Sequence, residues 1–374
     1  MTTTITDESR AYYPPPESRG GWRVAADADQ ARTLAGIDLQ RLMSARAWNR
    51  HFAVPSGVVI IRHGYLVAEW YENGTGPHTH FNIYSCTKSF TGTAYGIVFD
   101  DARRGRLAGG QPLDLDSPAY AHIPEGYPLT DPRKERILLR HLLSMTSGIP
   151  GESTGIFGVQ TAPGVNEFEG ALGRQPLRGS DVPGDVWTAR LAADPGNRWD
   201  YCDPAFAHLA LAFRHIVGQE LAEFIEERVL DPIGIENLEW DRLGIDDGHI
   251  GIHTNPFSGI HISARELARF GYLMLRRGRW NGTEIVAPWW LDLCTRTSQA
   301  LNARYGLTWW VNTQQTLWPA VPRDAFSALG YNTNLCAVIP SLDLVVVRIG
   351  AGPTEHTEDT TPPFFAAIVG AILD

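Results

Sequence analysis

Strand-like segments stand at both ends of this 374-residue chain, and a helix-like middle separates them. Residues 58–61 and 65–71 are rich in β-forming residues and are separated by a short turn, which predicts a hairpin. The C-terminal part predicts further strands and a closing helix. The strands are expected at residues 305–311, 325–330, 335–339 and 344–349, and the helix at residues 364–373.

This order predicts an α+β fold, in which an antiparallel sheet built from both chain ends is flanked by helices and carries an inserted, mainly helical region. We expect residues 36–110 and 265–374 to form a discontinuous α/β domain, and residues 111–264 to form the helical domain. Residues 1–35 are expected to be an irregular N-terminal extension. The cleft between the two domains is the natural place for a site.

Apolar spacing predicts helices in the middle of the chain at residues 136–145 and 205–217. Ser263 is expected to cap a further helix, with Glu266 in the capping-box position. A mostly apolar stretch after Ser85 is also expected to be helical and buried.

Charge and hydropathy argue against nucleic acid and membrane as partners. The net charge is −10 and no block of basic residues is present, so nucleic acid is not expected as a partner. No apolar run approaches the roughly 18 residues that a membrane span needs. The start of the chain lacks the apolar core of a secretory signal, so a cytoplasmic location is expected; a signal removed beforehand would give the same sequence. The sequence leaves the oligomeric state open.

Cysteine and histidine spacing does not indicate a metal site. The four cysteines lie far apart without CxxC spacing, which favours buried free thiols. His249, His253 and His261 are close in sequence but form no HExxH motif, and we expect them to be ordinary surface or core residues.

Only two of the 32 basic residues are lysines. Arginine stays protonated in proteins, whereas lysine can lose its proton when it is desolvated. Lys134 lies in a charged run and is expected at the surface. Lys88 lies in the otherwise uncharged residues 84–99, which suggests a need for an amine that can be deprotonated.

Ser85 and Lys88 form an S-x-x-K motif. Positions i and i+3 of a helix share a face, so the serine hydroxyl and the lysine amine can meet. A serine at a helix N-terminus also benefits from the helix dipole and can offer its own backbone N–H to an oxyanion.

Further segments, in order along the chain, carry a family resemblance. They are Leu113-Asp114-Leu115-Asp116, Leu142-Leu143-Ser144-Met145-Thr146-Ser147-Gly148, Tyr201-Cys202-Asp203, Ser263-Ala264-Arg265-Glu266-Leu267-Ala268-Arg269-Phe270-Gly271 and Ile339-Pro340-Ser341-Leu342-Asp343 with the valine-rich run after it. Together with S-x-x-K, the chain resembles the serine β-lactamase and penicillin-binding-protein superfamily, particularly its class C β-lactamase and family VIII esterase branch.

The resemblance implies that Ser85 is the nucleophile and that Lys88 and Tyr201 are its proton partners. A phenol beside an ammonium is expected to have a lowered pKa, which would make Tyr201 the general base. The reverse assignment, with Lys88 as the base, stays open because groups that share protons titrate together.

Two positions depart from the family pattern. Ala328-Leu329-Gly330 stands where the family has a cationic triplet, so the partner of a β-lactam carboxylate is absent. Gly330 is expected to let substrate approach the backbone, and the N–H of Tyr331 to be the second oxyanion donor. Asp203 replaces the asparagine of the Tyr-x-Asn motif and is expected to repel an anionic acyl group and attract a cationic one.

The sequence therefore predicts a serine hydrolase that cleaves a small-molecule carboxylic ester, or an amide, through an acyl-enzyme. The alternatives are an amidase or D-aminopeptidase, a β-lactamase-like hydrolase, an acyltransferase, and a non-catalytic binding protein on the same fold. The mechanism requires neither a metal nor an organic cofactor.

Overall fold

The computed structural model describes residues 12–178, 184–353 and 357–373. The strands are β1 (Ser56–Arg62), β2 (Tyr65–Glu72), β3 (Phe81–Asn82), β4 (Leu177–Arg178), β5 (Asp185–Val186), β6 (Glu239–Trp240), β7 (Arg242–Gly244), β8 (Ile252–Thr254), β9 (Ile260–Ile262), β10 (Arg279–Trp280), β11 (Thr283–Glu284), β12 (Trp310–Val311), β13 (Phe326–Gly330), β14 (Asn334–Ile339) and β15 (Leu344–Gly350). The α-helices are α1 (Ala28–Ala35), α2 (Leu39–His51), α3 (Thr87–Arg103), α4 (Leu139–Leu143), α5 (Glu167–Ala171), α6 (Asp203–Val217), α7 (Leu221–Ile225), α8 (Asp231–Ile233), α9 (Ala264–Leu275), α10 (Pro288–Cys294), α11 (Thr357–Thr360) and α12 (Pro362–Val369). Short 3₁₀ turns occur at Glu17–Arg19, Tyr84–Cys86, Ala119–His122, Pro124–Gly126, Pro132–Arg136, Glu152–Thr154 and Pro340–Leu342, and a π-helical turn at Glu226–Leu230.

The main sheet joins the two ends of the chain. Its six strands lie in the order β12-β13-β14-β15-β1-β2, and every neighbouring pair is antiparallel. The central contact between the ends is β1 with β15, in continuous register from Ser56 opposite Gly350 to Arg62 opposite Leu344. The predicted α+β fold, with an antiparallel sheet assembled from both ends, is confirmed. The proposed domain division stays a prediction.

Helices cover both faces of this sheet. In β15, odd and even residues point to opposite faces. Val345 faces α9, where Gly271 leaves room for the Val345 and Cys336 side chains. Arg348 points the other way and donates from Nε to Oδ1 of Asn49 in α2, at 3.0 Å. Residues of β1, β14 and β15 are accordingly buried on both faces, which explains why their sequences are apolar almost throughout.

Helix α3 runs through the protein interior, and nearly all of its residues are buried. Two glycines allow this close packing. A Cβ atom at Gly92 would lie 2.0 Å from Oγ1 of Thr308, and one at Gly96 would lie 2.2 Å from Cδ1 of Trp290. The small residues in this stretch therefore let bulky neighbours approach the helix that carries Lys88.

Three expectations about elements need correction. The predicted irregular extension contains helix α1, which Asp27 caps by accepting a hydrogen bond from the backbone N–H of Gln30; residues 1–11 of that extension lie outside the described residues. The strand expected at residues 305–311 shortens to β12, because Tyr305 makes only an isolated bridge. The helix expected at residues 136–145 is the one-turn α4, preceded by a 3₁₀ turn.

Lys134 was expected at the surface, and this prediction is wrong. Its side chain is buried, and Nζ donates to Oγ1 of Thr130 at 2.7 Å and to the carbonyl of Leu172 at 2.8 Å. Burial lowers the pKa of this amine to about 8. The two lysines of the chain are therefore both interior groups, and charge in the neighbouring sequence did not predict exposure.

Two other local predictions, the cap of α9 and the buried free thiols, are confirmed. Ser263 caps α9: its Oγ accepts from the N–H of Glu266 and donates to the Glu266 carboxylate at 2.9 Å. All four cysteines are buried free thiols. In the described parts of the chain, no helix combines the length and the hydropathy that crossing a bilayer requires.

Candidate active site

Ser85 lies where β3 ends and α3 is about to begin, on the 3₁₀ turn Tyr84–Cys86. The turn is held from the β3 side, where Oδ1 of Asn82 accepts the N–H of Tyr84 at 2.7 Å. Tyr84 has a φ of 47°, a left-handed conformation that is uncommon for a residue with a Cβ atom. The serine side chain is half-buried, so it remains accessible from the surface.

Lys88 lies in the first turn of α3, and its Nζ atom is close to three oxygen atoms. Nζ lies 2.8 Å from Oγ of Ser85, 2.6 Å from Oδ1 of Asp203 and 3.2 Å from the carbonyl oxygen of Phe257. Only 1% of the lysine side chain is exposed. The contacts with Ser85 and Phe257 have hydrogen-bond geometry, whereas Oδ1 of Asp203 makes a close ion pair without it, so the arrangement fits a charged lysine beside a carboxylate.

Asp203 is the first residue of α6, and both of its carboxylate oxygens are engaged. Oδ1 faces Lys88, and Oδ2 accepts the backbone N–H of Gly158 at 3.0 Å. We expected this carboxylate to act on the charge of an acyl group, but its charge is matched within the protein by Lys88. The aspartate at this position thus forms a buried ion pair with the lysine, which an asparagine could not do.

Tyr201 reaches the same place from the segment just before α6. Lys88 Nζ lies 4.8 Å from the centre of the phenol ring, and the phenol oxygen interacts with the Ser85 hydroxyl. Burial raises the pKa of Tyr201 well above its ordinary value, and the nearby Tyr305 and Asp203 raise it further. The expectation of a lowered pKa is therefore wrong, because burial of the phenol disfavours the phenolate and the neighbouring Tyr305 and Asp203 act in the same direction.

An aromatic cluster encloses Tyr201. Its ring stacks against Trp310 at 6.1 Å between centroids, and Trp199 and Tyr305 pack against the same pair. This packing excludes water from one side of the phenol and orients it toward Ser85. Trp309 is buried in the core, while its neighbour Trp310 also borders the site through its contact with Tyr201.

Gly330, at the end of β13, lies directly beside the turn that carries Ser85. A Cβ atom at this position would lie 2.2 Å from the carbonyl oxygen of Ile83 and 3.2 Å from the backbone nitrogen of Ser85. We expected this glycine to admit substrate to the backbone; the closer constraint is that β13 packs against the turn itself. The next residue, Tyr331, is thereby held near Ser85.

Glu152 is a site residue that the sequence analysis missed. Its backbone N–H donates to the carbonyl of Tyr201 at 2.8 Å, and Asp200 ties the same turn to this segment by accepting the N–H groups of Gly151 and Ser153. Burial raises the pKa of the Glu152 carboxyl to about 8, and Asp203 adds to the shift. Only the position of this glutamate, four residues after Ser147-Gly148, could have suggested it.

The remaining candidate groups are structural. Burial raises the pKa of the Cys86 and Cys202 thiols well above the usual range, so neither is a ready nucleophile. His253 contacts Glu220, and His261 contacts Asp241. Across residues 12–178, 184–353 and 357–373, no three histidine, cysteine, aspartate or glutamate side chains are grouped as metal ligands would be.

Known proteins resemble this chain over most of its length. The family model described as Beta-lactamase matches residues 41–370. A 6-aminohexanoate-dimer hydrolase of Paenarthrobacter ureafaciens is 23% identical over 319 residues, which are 80% of this chain and 73% of that protein. A putative 6-aminohexanoate-dimer hydrolase from Bacillus anthracis superposes with a TM-score of 0.66 at 22% identity, over 96% of this chain and 89% of that one. The structure titled EstCE1, a hydrolase with promiscuous acyltransferase activity, gives a TM-score of 0.62 at 16% identity, over 90% and 98% of the two chains.

Proposed function

The chain belongs to the beta-lactamase family, and on that basis we propose that it is a serine hydrolase that cleaves a carboxylic ester through an acyl-enzyme on Ser85. The observation that carries the proposal is the position of Lys88 Nζ, which lies 2.8 Å from the serine hydroxyl and 2.6 Å from Asp203. A hydroxyl, an amine and a phenol from two separate segments converge there, at an accessible serine. This is the arrangement that acyl transfer needs.

In the proposed first step, Ser85 Oγ attacks the substrate carbonyl and transfers its proton to Lys88, while Lys88 passes a proton to Asp203. We assign the base role to Lys88, the assignment that the sequence left open, because the raised pKa of Tyr201 disfavours a resting phenolate. The negative charge that leaves the carboxylate appears on the oxyanion, so charge is conserved. The protonated phenol of Tyr201 then gives its proton to the leaving group.

The oxyanion is proposed to rest on the backbone N–H groups of Ser85 and Tyr331. Support comes from the close packing of Gly330 against the Ser85 turn, which brings the end of β13 to the nucleophile. Fixed N–H donors beside the reacting carbon stabilise the charge that develops in the transition state. Water, activated by the same groups in reverse, would release the acyl group.

The substrate is proposed to be an ester without the carboxylate that β-lactams present. The position of the family's cationic triplet is occupied by Ala328-Leu329-Gly330, which offers no cation. An amide remains the second candidate, because the name of a relative over most of the chain states that it hydrolyses the 6-aminohexanoate dimer. Transfer of the acyl group to an alcohol is a third, in view of the structural similarity to EstCE1.

Labelling with a fluorophosphonate probe tests whether the protein is a serine hydrolase. We expect one covalent adduct on the wild-type protein, located by peptide mass spectrometry on Ser85, and none on the Ser85→Ala variant. Ser341→Ala, which changes an exposed serine on the turn between β14 and β15, is the matched control and should label like wild type. A folded wild-type protein that forms no adduct would favour the non-catalytic binding protein.

A substrate panel tests the ester assignment. We expect p-nitrophenyl esters to be cleaved with kcat/KM at least tenfold above the matched p-nitroanilides, and a chromogenic cephalosporin to be turned over slowly or not at all. Faster anilide cleavage would replace the ester by the amide proposal. Rapid cephalosporin turnover would contradict the argument from the missing cation.

A further inference from the structure

Two tyrosines flank the proposed oxyanion site on its exposed side. Tyr84 immediately precedes Ser85, and Tyr331 immediately follows Gly330. Their rings meet edge to face, with centroids 5.6 Å apart and planes at 73°. Tyr331 is nevertheless 48% exposed, and Tyr84 is half-buried. This tyrosine pair therefore presents ring surface to solvent beside the nucleophile.

The backbone around the pair is held in uncommon conformations. Tyr84 has a φ of 47°, and Asn332 and Thr333, which follow Tyr331, have φ values of 61° and 58°. None of these residues is glycine, so each conformation carries strain. These strained residues lie beside the proposed catalytic groups, and strained backbone is common at functional sites.

Buried polar groups fix the second of these segments. Asn334 Nδ2 donates to the carbonyl of Tyr331 at 2.5 Å, and Arg348 Nη1 donates to the carbonyl of Asn332 at 2.6 Å. Both donor side chains are fully buried. Buried hydrogen bonds therefore fix the position of Tyr331, although its exposed ring contributes little to the core.

We propose that the tyrosine pair is a binding subsite for a flat, uncharged ring of the substrate. The inference rests on the proposed function, because it makes the ring part of the molecule whose carbonyl meets Ser85. Edge-to-face packing leaves part of the Tyr331 ring uncovered, and another ring can complete the cluster. The phenol oxygens of Tyr84 and Tyr331 have no hydrogen-bond partner among the residues that the structure describes, so the surface also offers two polar contacts for ring substituents.

The occupant is a small-molecule ring rather than a protein surface, because the pair lies at the reacting carbon. Tyr84 is bonded to the nucleophile residue, and Tyr331 carries the N–H proposed to hold the oxyanion. A ligand group placed on these rings is within a few bonds of the carbonyl. The subsite therefore affects which ester is cleaved.

Two matched pairs of thioesters test the proposal, with thiol release as the readout. The first pair, S-methyl 3-phenylpropanethioate and S-methyl hexanethioate, differs in the acyl part. The second pair, S-(2-phenylethyl) and S-hexyl ethanethioate, differs in the leaving part. In one of the pairs we expect Tyr331→Ala to lower the ratio of kcat/KM for the ring compound over the alkyl compound by roughly three- to tenfold. The substitution retains the backbone N–H, and any general loss of activity cancels in the ratio because both compounds are cleaved by the same variant.

Tyr127→Ala is the matched control. Tyr127 is a tyrosine of similar exposure, 49%, whose ring packs against Tyr120 instead of the site. We expect this variant to keep the wild-type ratio in both pairs. An unchanged ratio in a folded, active Tyr331→Ala variant would overturn the subsite. So would a Tyr331-dependent change in the sedimentation mass without a change in the ratio, since the pair would then be a contact between copies of the chain.

A binding measurement separates failure of the subsite from failure of the proposed function. Saturation-transfer NMR on Ser85→Ala protein, with 3-phenylpropanamide and hexanamide as probes, needs no catalysis. We expect ring protons of the first probe to receive saturation, and the Ser85→Ala/Tyr331→Ala double variant to lose it. Tyr331-dependent ring binding in a protein that hydrolyses no ester would leave the subsite standing and remove the hydrolase. Ring binding that does not depend on Tyr331 would overturn the subsite.

Discussion

Lys88 and Asp203 form a buried ion pair, with Nζ of the lysine 2.6 Å from Oδ1 of the aspartate. Removal of one partner from such a pair leaves an uncompensated charge, which typically costs about 3–5 kcal/mol, whereas removal of both is far less costly. The ion pair therefore allows a prediction about the free energy of unfolding that can be tested without knowing the substrate.

A double-mutant cycle with Lys88→Met and Asp203→Asn should show strong coupling. We expect the double variant to be at least about 1 kcal/mol more stable than the sum of the two single effects, because the double variant no longer holds an unpaired charge. Urea unfolding at pH 7 measures the four free energies of unfolding. Additive effects would mean that the two groups are not ionised together in the folded protein.

Tyr201→Phe should reduce kcat by about 10²–10⁴-fold, and more for poor leaving groups than for good ones. The reason is that a phenol acting as general acid matters most when the departing oxygen is basic. A series of esters with alcohols of rising pKa gives the slope of log kcat against leaving-group pKa, which should steepen in the variant. Tyr305→Phe, which removes only the hydroxyl of a neighbouring ring, should keep the wild-type slope. An equal slope in Tyr201→Phe would contradict proton donation by Tyr201.

The raised pKa of Glu152 predicts that the folded protein loses stability as the pH rises. Its carboxyl has a folded-state pKa of about 8 against 4.5 in a free chain. Below pH 4.5 both states are protonated; between 4.5 and 8 only the unfolded chain ionises, which favours unfolding; above 8 both states are ionised and the difference is constant. A shifted pKa changes stability by about 1.4 kcal/mol per unit, less where solvent screens the group.

We therefore expect Glu152→Gln to lose less stability than wild type between pH 5 and pH 8, by on the order of 1–3 kcal/mol. Denaturant unfolding at both values gives the comparison. Glu227→Gln, at an exposed glutamate in the π-helical turn, is the control and should behave like wild type. A variant with the same pH dependence as wild type would show that the Glu152 carboxyl ionises normally.

Gly330→Ala should damage activity through the backbone. The added Cβ would lie 2.2 Å from the carbonyl of Ile83, so β13 and the Ser85 turn must separate. Displacing an oxyanion donor typically reduces kcat by about 10²–10³-fold. Gly76→Ala is the control, because a Cβ there meets no atom within 4 Å. Full activity in Gly330→Ala would mean that this packing does not set the position of the donors.

Short sequence patterns predicted the elements whose structure depends mainly on residues close together in the chain. The β-forming residues and the turn around residues 58–71 predicted the hairpin of β1 and β2, and Ser263 with Glu266 marked the start of α9. The S-x-x-K spacing placed a hydroxyl and an amine on one helical turn, where the structure has them 2.8 Å apart. The family and its fold followed from motifs in a fixed order, and both are confirmed.

Long-range contacts determine what the sequence did not show. Lys134 lies among charged residues in sequence, yet Thr130 and the distant carbonyl of Leu172 bury it. The pKa of Tyr201 depends first on its burial and then on Tyr305, which lies more than a hundred residues away in sequence. Glu152 lies near the site because its turn contacts the Tyr201 segment, and the sequence does not show that contact. Spacing along a chain carries no information about such neighbours.

The pairing of β1 with β15 has a consequence for how the molecule is made. Ser56 pairs with Gly350, so β1 gains its second neighbour only after β15 has left the ribosome, near the end of translation. Translation at about 5–20 residues per second makes that delay tens of seconds at the slower rates. During that delay, β1 has an open edge although it becomes an interior strand of the sheet, and an open edge makes the nascent chain a natural client for chaperones.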